Sequence, residues 1–374
     1  MNRILEIDEA NLVCVTQPGV VVETLQTEVE KVGLFYPPDP ASRGSCMIGG
    51  NIAENAGGPR AVKYGVTKDY VMGVEAVLPN GDVIRAGGKR YKDVTGYNLT
   101  QLFVGSEGTL GVVTEATLRL LPKPTETATV LAAYDSIDDA ARTVPEIFKR
   151  GIFPTAAEFM ERDAIAASAA HLGISFPHQD AEAHLLLMVD GNDRERVVAE
   201  ATRIGEACLE MGARDAILAD NPARERGLWA LRRAVGEAVK KLSNYKEEDT
   251  VAPRAALPAL IRGVKEIARR HGVRAICYGH AGDGNIHCNI VKGDLSDRDW
   301  NERLPTAIEE IFRHTVSLGG TISGEHGIGW SQKRYLHLAM SPAELALLAR
   351  VKAAFDPKGI LNPGKVIPEG IGGA

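Results

Sequence analysis

The sequence predicts an α+β protein built from two domains, and three observations carry that expectation. The chain has 374 residues, long enough for two domains. Its first third reads as strands joined by tight turns, centred on an Asn80-Gly81 hairpin signal. From Thr127 onward, strand-like and helix-like segments alternate in the manner of a ferredoxin-like module.

The elements follow in order. Ile4 to Asp8 and Leu12 to Gln17 read as strands joined by a polar turn, and a chain that opens directly in a strand implies that something precedes it. A helix over Val22 to Val32 is stopped by Gly33. Tyr36-Pro37-Pro38-Asp39-Pro40 is held extended by its prolines. Ser45 to Gly58 is dense in glycine and small residues, which exposes backbone groups and admits a bulky ligand against the main chain. Asn51 and Asn55 are spaced for one face of a short helix packed on that ligand, and an ordinary tight turn is the alternative. Val71 to Leu78 and Val83 to Ala86 form the hairpin, and Val112 to Leu121 is a further strand. The glycines of Gly105-Ser106-Glu107-Gly108-Thr109-Leu110-Gly111 do not match the dinucleotide fingerprint, and no βαβ unit surrounds them, so a nicotinamide cofactor is not expected.

Pro122-Lys123-Pro124 marks a domain boundary. Beyond it, Ala128 to Ala133 and His184 to Val189 read as strands. Helices are expected over Ile137 to Arg150, Arg194 to Met211, Pro222 to Leu242, Leu257 to His271 and Pro342 to Phe355.

The mildly negative formal charge of −6, with no basic stripe, argues against nucleic acid as the main partner. The five cysteines are scattered with no CxxC pair, so neither a disulfide framework nor an iron–sulfur site within this chain is indicated. A reduced, cytoplasmic setting is expected. No apolar run approaches ~18 residues, so no membrane span is expected, and the N-terminus lacks a secretory pattern.

The chemistry concentrates in Tyr278 to Asn289, Tyr-Gly-His-Ala-Gly-Asp-Gly-Asn-Ile-His-Cys-Asn. Arg274 to Tyr278 reads as a buried strand. After a glycine-rich loop, Ile286, Cys288 and Ile290 alternate with His287 and Asn289. Such a hairpin brings His280 near His287, and two imidazoles with an amide beside them suggest a metal site; a pair of hydrogen-bonded structural histidines is the alternative. The glycine-framed Ser323-Gly324-Glu325-His326-Gly327 offers a carboxylate, and two imidazoles plus one carboxylate suit a divalent metal with positions left open. Adjacent residues usually project differently, so Glu325 is assigned to the metal and His326 to acid–base work, against the alternative of a surface turn. Arg232-Arg233 on the Pro222 to Leu242 helix offers bidentate capture of an acid substrate, against a solvated helix face; Lys246 and Arg254 are weaker candidates for that capture.

Several motifs then coincide in order: Pro37-Pro38-Asp39-Pro40, Gly49 to Gly58, Gly105 to Gly111, His280 to His287, Ser323 to Gly329 and Asn362-Pro363-Gly364-Lys365. Together they resemble the FAD-linked 2-hydroxyacid dehydrogenases of the vanillyl-alcohol-oxidase superfamily, of the glycolate oxidase flavoprotein and D-lactate dehydrogenase kind. The resemblance runs over essentially the whole chain. It implies residues 1–122 as the second part of a two-subdomain FAD-binding domain, 123–335 as a ferredoxin-like substrate (cap) domain with a metal site, and 336–374 as a segment returning to the flavin domain.

By the same resemblance, Pro37, Pro38, Asp39, Ser42, Gly49, Gly50, Asn51, Asn55, Gly57, Gly58, Gly105, Ser106, Glu107, Gly108, Val112 and Asn362 line FAD. His280, His287 and Glu325 bind a divalent metal (Zn, Mn or Fe). Asn289 and Arg232 contact substrate, and His326 is the catalytic base. The activity implied is metal-assisted oxidation of a D-2-hydroxyacid, with hydride passing to flavin N5 and electrons then to another protein or a quinone. An iron–sulfur partner subunit and a homo- or hetero-oligomer are in keeping with it. Such proteins begin roughly ninety residues earlier, in a stretch whose glycine-rich loop holds the FAD pyrophosphate on backbone N–H groups. The alternative expectation is therefore a truncated or split fragment that is inactive without a separate N-terminal piece.

Overall fold

In the computed structural model, which describes residues 1–219 and 221–371, the chain folds into two compact units. Unit 1 comprises Met1–Lys123 with Glu325–Ala374, and unit 2 comprises Pro124–Gly324.

In unit 1 the strands are β1 (Ile4–Asp8), β2 (Val13–Thr16), β3 (Leu34–Phe35), β4 (Val71–Val77), β5 (Val83–Gly87), β6 (Val112–Arg119) and β7 (Leu121–Pro122). Five of them form an antiparallel sheet in the order β1-β2-β6-β4-β5, and β3 pairs with β7. The Asn80-Gly81 hairpin forms as the sequence requires, with Val77 opposite Val83. A helix over Val22–Glu30 turns Val22, Leu25, Gln26 and Val29 inward. Val22, Leu25 and Val29 join Ile48, Ile52, Val74, Phe103 and Leu118 in one apolar core, while Gln26 donates from Nε2 to the Tyr36 and Pro38 carbonyls. A short helix over Ile48–Glu54 ends with Asn55 in the left-handed conformation, at φ 54 and ψ 48. Asn55 is thus the cap of that helix and not a residue of its face, because an amide side chain tolerates this backbone better than most. The Pro342–Phe355 helix belongs to this unit and opens on a Ser341/Glu344 capping box.

Unit 2 continues with β8 (Glu126–Tyr134), β9 (Ala156–Glu161), β10 (Ala183–Gly191), β11 (Ala213–Leu218), β12 (Tyr245–Val251), β13 (Arg274–Gly279) and β14 (Asn285–Val291). All seven lie in one antiparallel sheet, ordered β11-β8-β10-β9-β13-β14-β12. The first four reproduce the ferredoxin-like arrangement, with the last strand beside the first and the third beside the second. β12 to β14 then extend the sheet on the β9 side.

Directly paired residues of an antiparallel ladder share a face. Tyr278 pairs with His287 and with Met160, and Ile276 pairs with Asn289. Glu158, two residues from Met160, therefore shares one face with Tyr278, His287 and Asn289. The Pro222–Lys240 helix covers that face, with Leu228, Leu231, Val235 and Val239 in the same apolar cluster as Ile276 and Tyr278. Cys277 and Cys288 pair with one another and so face the opposite way, toward the Leu257–His271 helix and its Lys265.

Candidate active site

Unit 2 assembles most of the residues expected to do chemistry on the face beneath the Pro222–Lys240 helix. β13 ends at Gly279, and the chain turns through His280–Gly284, with Asp283 and Asn285 both donating backbone N–H to His280 O. Gly284 sits at φ +85 with its α-carbon against the Ala252 carbonyl, where a Cβ would come within 2.0 Å of that oxygen, so only glycine fits. The turn sets the His280 and His287 rings 5.3 Å apart between centroids and nearly perpendicular, at 85°.

Glu158 stands behind His280. Its two oxygens each lie 2.9 Å from His280 Nδ1. A carboxylate can only accept, so Nδ1 carries the proton and Nε2 is the nitrogen with a lone pair. Glu158 is fully buried and forms an ion pair with Arg232. Burial alone would push its carboxyl up, but the Arg232 guanidinium and then His280 outweigh that and hold it below the usual carboxylate range.

His287 Nδ1 is turned toward two acids of β12, 3.6 Å from Asp249 Oδ1 and 4.0 Å from Glu247 Oε1. Asp249 accepts from Asn285 Nδ2 (2.5 Å), Gly324 N (2.7 Å) and Ser323 Oγ (3.2 Å). It thereby anchors the turn that leads toward Glu325. Asn289 Oδ1 and Arg232 Nε are buried and have no hydrogen-bond partner among the described residues. The Arg232 guanidinium also stacks 5.3 Å from the Tyr278 ring.

The weaker candidates have other work. Arg254 lies 3.5 Å over the Phe148 ring and donates from Nε to Gly282 O at 2.6 Å, so it braces the His280 turn. Lys246 is paired with buried Glu248 at 3.3 Å. Arg233 is half-buried beside Trp229.

Unit 1 holds the remaining candidates. Pro37, Pro38, Asp39, Gly57 and Gly58 are buried, whereas Ser42, Gly50, Gly105, Val112 and Asn362 are exposed, with Gly49, Asn55, Ser106 and Gly108 between. Asp39 pairs with Arg43 at 3.1 Å and Arg60 at 3.6 Å. Asn55 Oδ1 accepts from Lys68 N, and Ser106 Oγ donates to Phe103 O. Asn51 is 3% exposed, and its Nδ2 has no hydrogen-bond partner among the described residues. A buried amide donor inside a glycine-rich run suits the polar edge of a planar cofactor.

Glu325 and His326 lie together in this unit, with His326 Nε2 4.0 Å from Glu325 Oε1. Glu54 was not singled out from sequence. Its carboxyl is pushed up to about 7, first by burial and then by the Glu107 charge, with His326 acting in the opposite sense. Glu158 was also missed. Its signal was a glutamate at strand period inside Ala-Ala-Glu-Phe-Met-Glu, a segment otherwise able to sit in a core.

A family model described as FAD linked oxidases, C-terminal domain, matches residues 123–366, and one described as FAD binding domain matches residues 1–87. The chain is 44% identical to the glycolate oxidase subunit GlcD of Bacillus subtilis (strain 168), over 98% of this chain and 77% of that protein. It is 37% identical to a D-lactate dehydrogenase of Anaerostipes hadrus, over 98% of this chain and 78% of that protein. Among solved structures, an alkyldihydroxyacetonephosphate synthase superposes with a TM-score of 0.70 at 18% identity, which bears on fold alone. The match covers 97% of this chain and 65% of the synthase, so this chain spans less than two thirds of that protein's length. Among the described residues, no helix is long and apolar enough to cross a membrane.

Proposed function

Since this chain belongs to the FAD-linked oxidases, we propose that it oxidises a D-2-hydroxyacid of the glycolate or D-lactate type to the 2-oxoacid, with FAD as redox cofactor and a divalent cation assisting. The observation that carries this reading is Glu158 fixing the tautomer of His280 beside His287, on a face where Asn289 Oδ1 and Arg232 Nε lack partners. A structural histidine pair has no need of a buried carboxylate held ionised behind it. The names of the relatives above support the substrate class.

FAD would be held by unit 1, with the buried Asn51 donor and the glycines of the Gly49–Gly58 run against it, and when bound it supplies the acceptor for a hydride. The cation, zinc, manganese or iron by its donor set, would be held by His280 and His287, with Glu325 proposed as the carboxylate ligand; when bound it would lower the pKa of the substrate hydroxyl. His326 accepts the hydroxyl proton at its imidazole. Arg232 and Asn289 orient the substrate carboxylate, the guanidinium by charge and the amide by hydrogen bonding. Electrons leave to a protein partner or a quinone, an iron–sulfur subunit being the protein candidate.

The test is to load the purified chain with FAD and screen glycolate and the D and L forms of lactate and 2-hydroxyglutarate with a dye acceptor, alongside metal analysis. Dye reduction by glycolate or a D-acid, abolished by a chelator and by His287→Ala, is expected. A flavin-loaded protein that turns over none of these acids overturns the reading.

A further inference from the structure

The resemblance assigns Glu107 to the cofactor, but in unit 1 its carboxylate is committed elsewhere. Oε1 accepts from Ile328 N and Oε2 from Gly329 N, each at 2.7 Å. Two successive amides thus close on one carboxylate, an arrangement that only an acid with both oxygens available can satisfy. The backbone around it is shaped for this grip. Glu107 has a positive φ of 50°, unusual for a residue with a long side chain. Its N–H donates to Ala53 O at 2.9 Å, and its carbonyl accepts from Asn362 Nδ2 at 2.6 Å. On the other side, Gly327 at φ +77 lets the chain pass so close that a Cβ there would lie 2.9 Å from Glu107 Oε1 and 2.1 Å from Glu54 Oε2. Glu107 is 9% exposed, so these bonds are made with little competition from water.

We propose that Glu107 is a positioning residue for the Glu325–His326 pair: its carboxylate sets the loop that presents them by holding the Ile328 and Gly329 amides. The inference rests on the role given above to Glu325 and His326. A glutamine at this position offers one acceptor and turns an amide N–H₂ at the other backbone N–H, so one bond becomes a donor–donor contact. An aspartate keeps both acceptors but withdraws them by one methylene.

The experiment compares FAD-loaded wild type, Glu107→Gln and Glu107→Asp by hydrogen exchange, flavin content and steady-state kinetics. In Glu107→Gln the peptide spanning 326–331 should exchange about tenfold faster or more, as loss of a charge-assisted hydrogen bond implies. kcat should fall about 10–100-fold, the usual cost of losing a residue that orients a ligand or base, with KM nearly unchanged and flavin per chain unchanged. Glu107→Asp should fall between the two on both counts. Unchanged exchange at 326–331 in both variants overturns the proposal, and so does flavin loss in step with activity, which would return Glu107 to the cofactor. If Glu107→Gln does not fold, Glu107→Asp carries the same readings. If the wild type oxidises no 2-hydroxyacid, the proposed function fails, while the exchange result still decides whether Glu107 holds the loop.

Discussion

The Glu158–Arg232 pair gives the sharpest test of how unit 2 is held together. Both partners are inside: Glu158 is fully buried and Arg232 is 4% exposed. Replacing Arg232 by Met leaves a buried carboxylate facing only His280. Breaking a buried pair by removing one partner costs about 3–5 kcal/mol, because the remaining charge has neither water nor a counter-ion. Glu158→Gln strands the guanidinium instead and should cost a similar amount. For a unit the size of Pro124–Gly324, about 2–4 °C of melting temperature per kcal/mol makes each single change a loss of about 6–20 °C. The double variant Glu158→Gln/Arg232→Met removes both charges while Gln Oε1 still accepts from His280 Nδ1. It should regain about half of the combined loss or more, giving a coupling energy of about 3 kcal/mol or above. Calorimetric melting of the four proteins at one pH measures this. Singles that each cost less than about 1 kcal/mol, or a double variant equal to their sum, would refute the claim that the two charges are mutually neutralised inside the sheet.

Three further expectations follow from single distances and burials. Glu54 has a folded-state value of about 7 against an ordinary 4.5, so the stability it contributes is present below 4.5 and is lost as pH rises through 7; Glu54→Gln should therefore raise thermal stability at pH 8, by about 1–2 kcal/mol after allowance for its partial exposure, and by much less at pH 5. Gly327→Ala puts a Cβ 2.1 Å from Glu54 Oε2 at φ +77, and should lower the melting temperature of the flavin-loaded protein by several degrees, about 1–3 kcal/mol, with activity falling further than stability does. Of the five cysteines, Cys14, Cys208, Cys277 and Cys288 are buried and Cys46 is half-buried, so a thiol reagent should label Cys46 first in native protein and all five only after unfolding, as mass spectrometry would show.

Much of the fold was legible because its punctuation is local. The Leu257–His271 helix was bounded from sequence at both ends, since Gly272 takes the left-handed cap at φ 61 and Pro258 suits a first turn. The Val71–Val77/Val83–Gly87 hairpin announced itself through Asn80-Gly81. β12, Tyr-Lys-Glu-Glu-Asp-Thr-Val, did not, because it has no apolar alternation. Yet Glu248, Asp249 and Thr250 within it are buried. β9 was missed for a related reason, since two of its six residues are glutamates, Glu158 and Glu161, both buried. Periodicity rules price a buried acid as an error, and these strands carry their acids inward because each acid has a partner. Glu158 is paired with Arg232, Glu161 with Lys265 and Glu248 with Lys246. β9 and β12, which supply Glu158, Glu247 and Asp249 to the candidate site, are therefore less readable from pattern than β14, whose alternation placed His287 and Asn289.

The histidines show how a structural role can be told from a chemical one on physical grounds. His184, at the start of β10, is as buried as His280. Its Nε2 lies 3.0 Å from the Pro177 carbonyl, and burial pushes it down to about 4, so it stays neutral across the physiological range and serves the core. His280 faces a carboxylate instead of a carbonyl, and that carboxylate is itself held below its usual range by Arg232. Burying an ionised acid and a guanidinium is costly compared with an apolar packing of the same volume, and a neutral ring needing only orientation could take a backbone carbonyl, as His184 does. The more expensive arrangement raises the basicity of the opposite nitrogen and fixes where its lone pair points. A cation ligand gains from both and a core histidine from neither, so the partner behind the ring, more than the ring itself, is the ground for proposing His280 as a ligand.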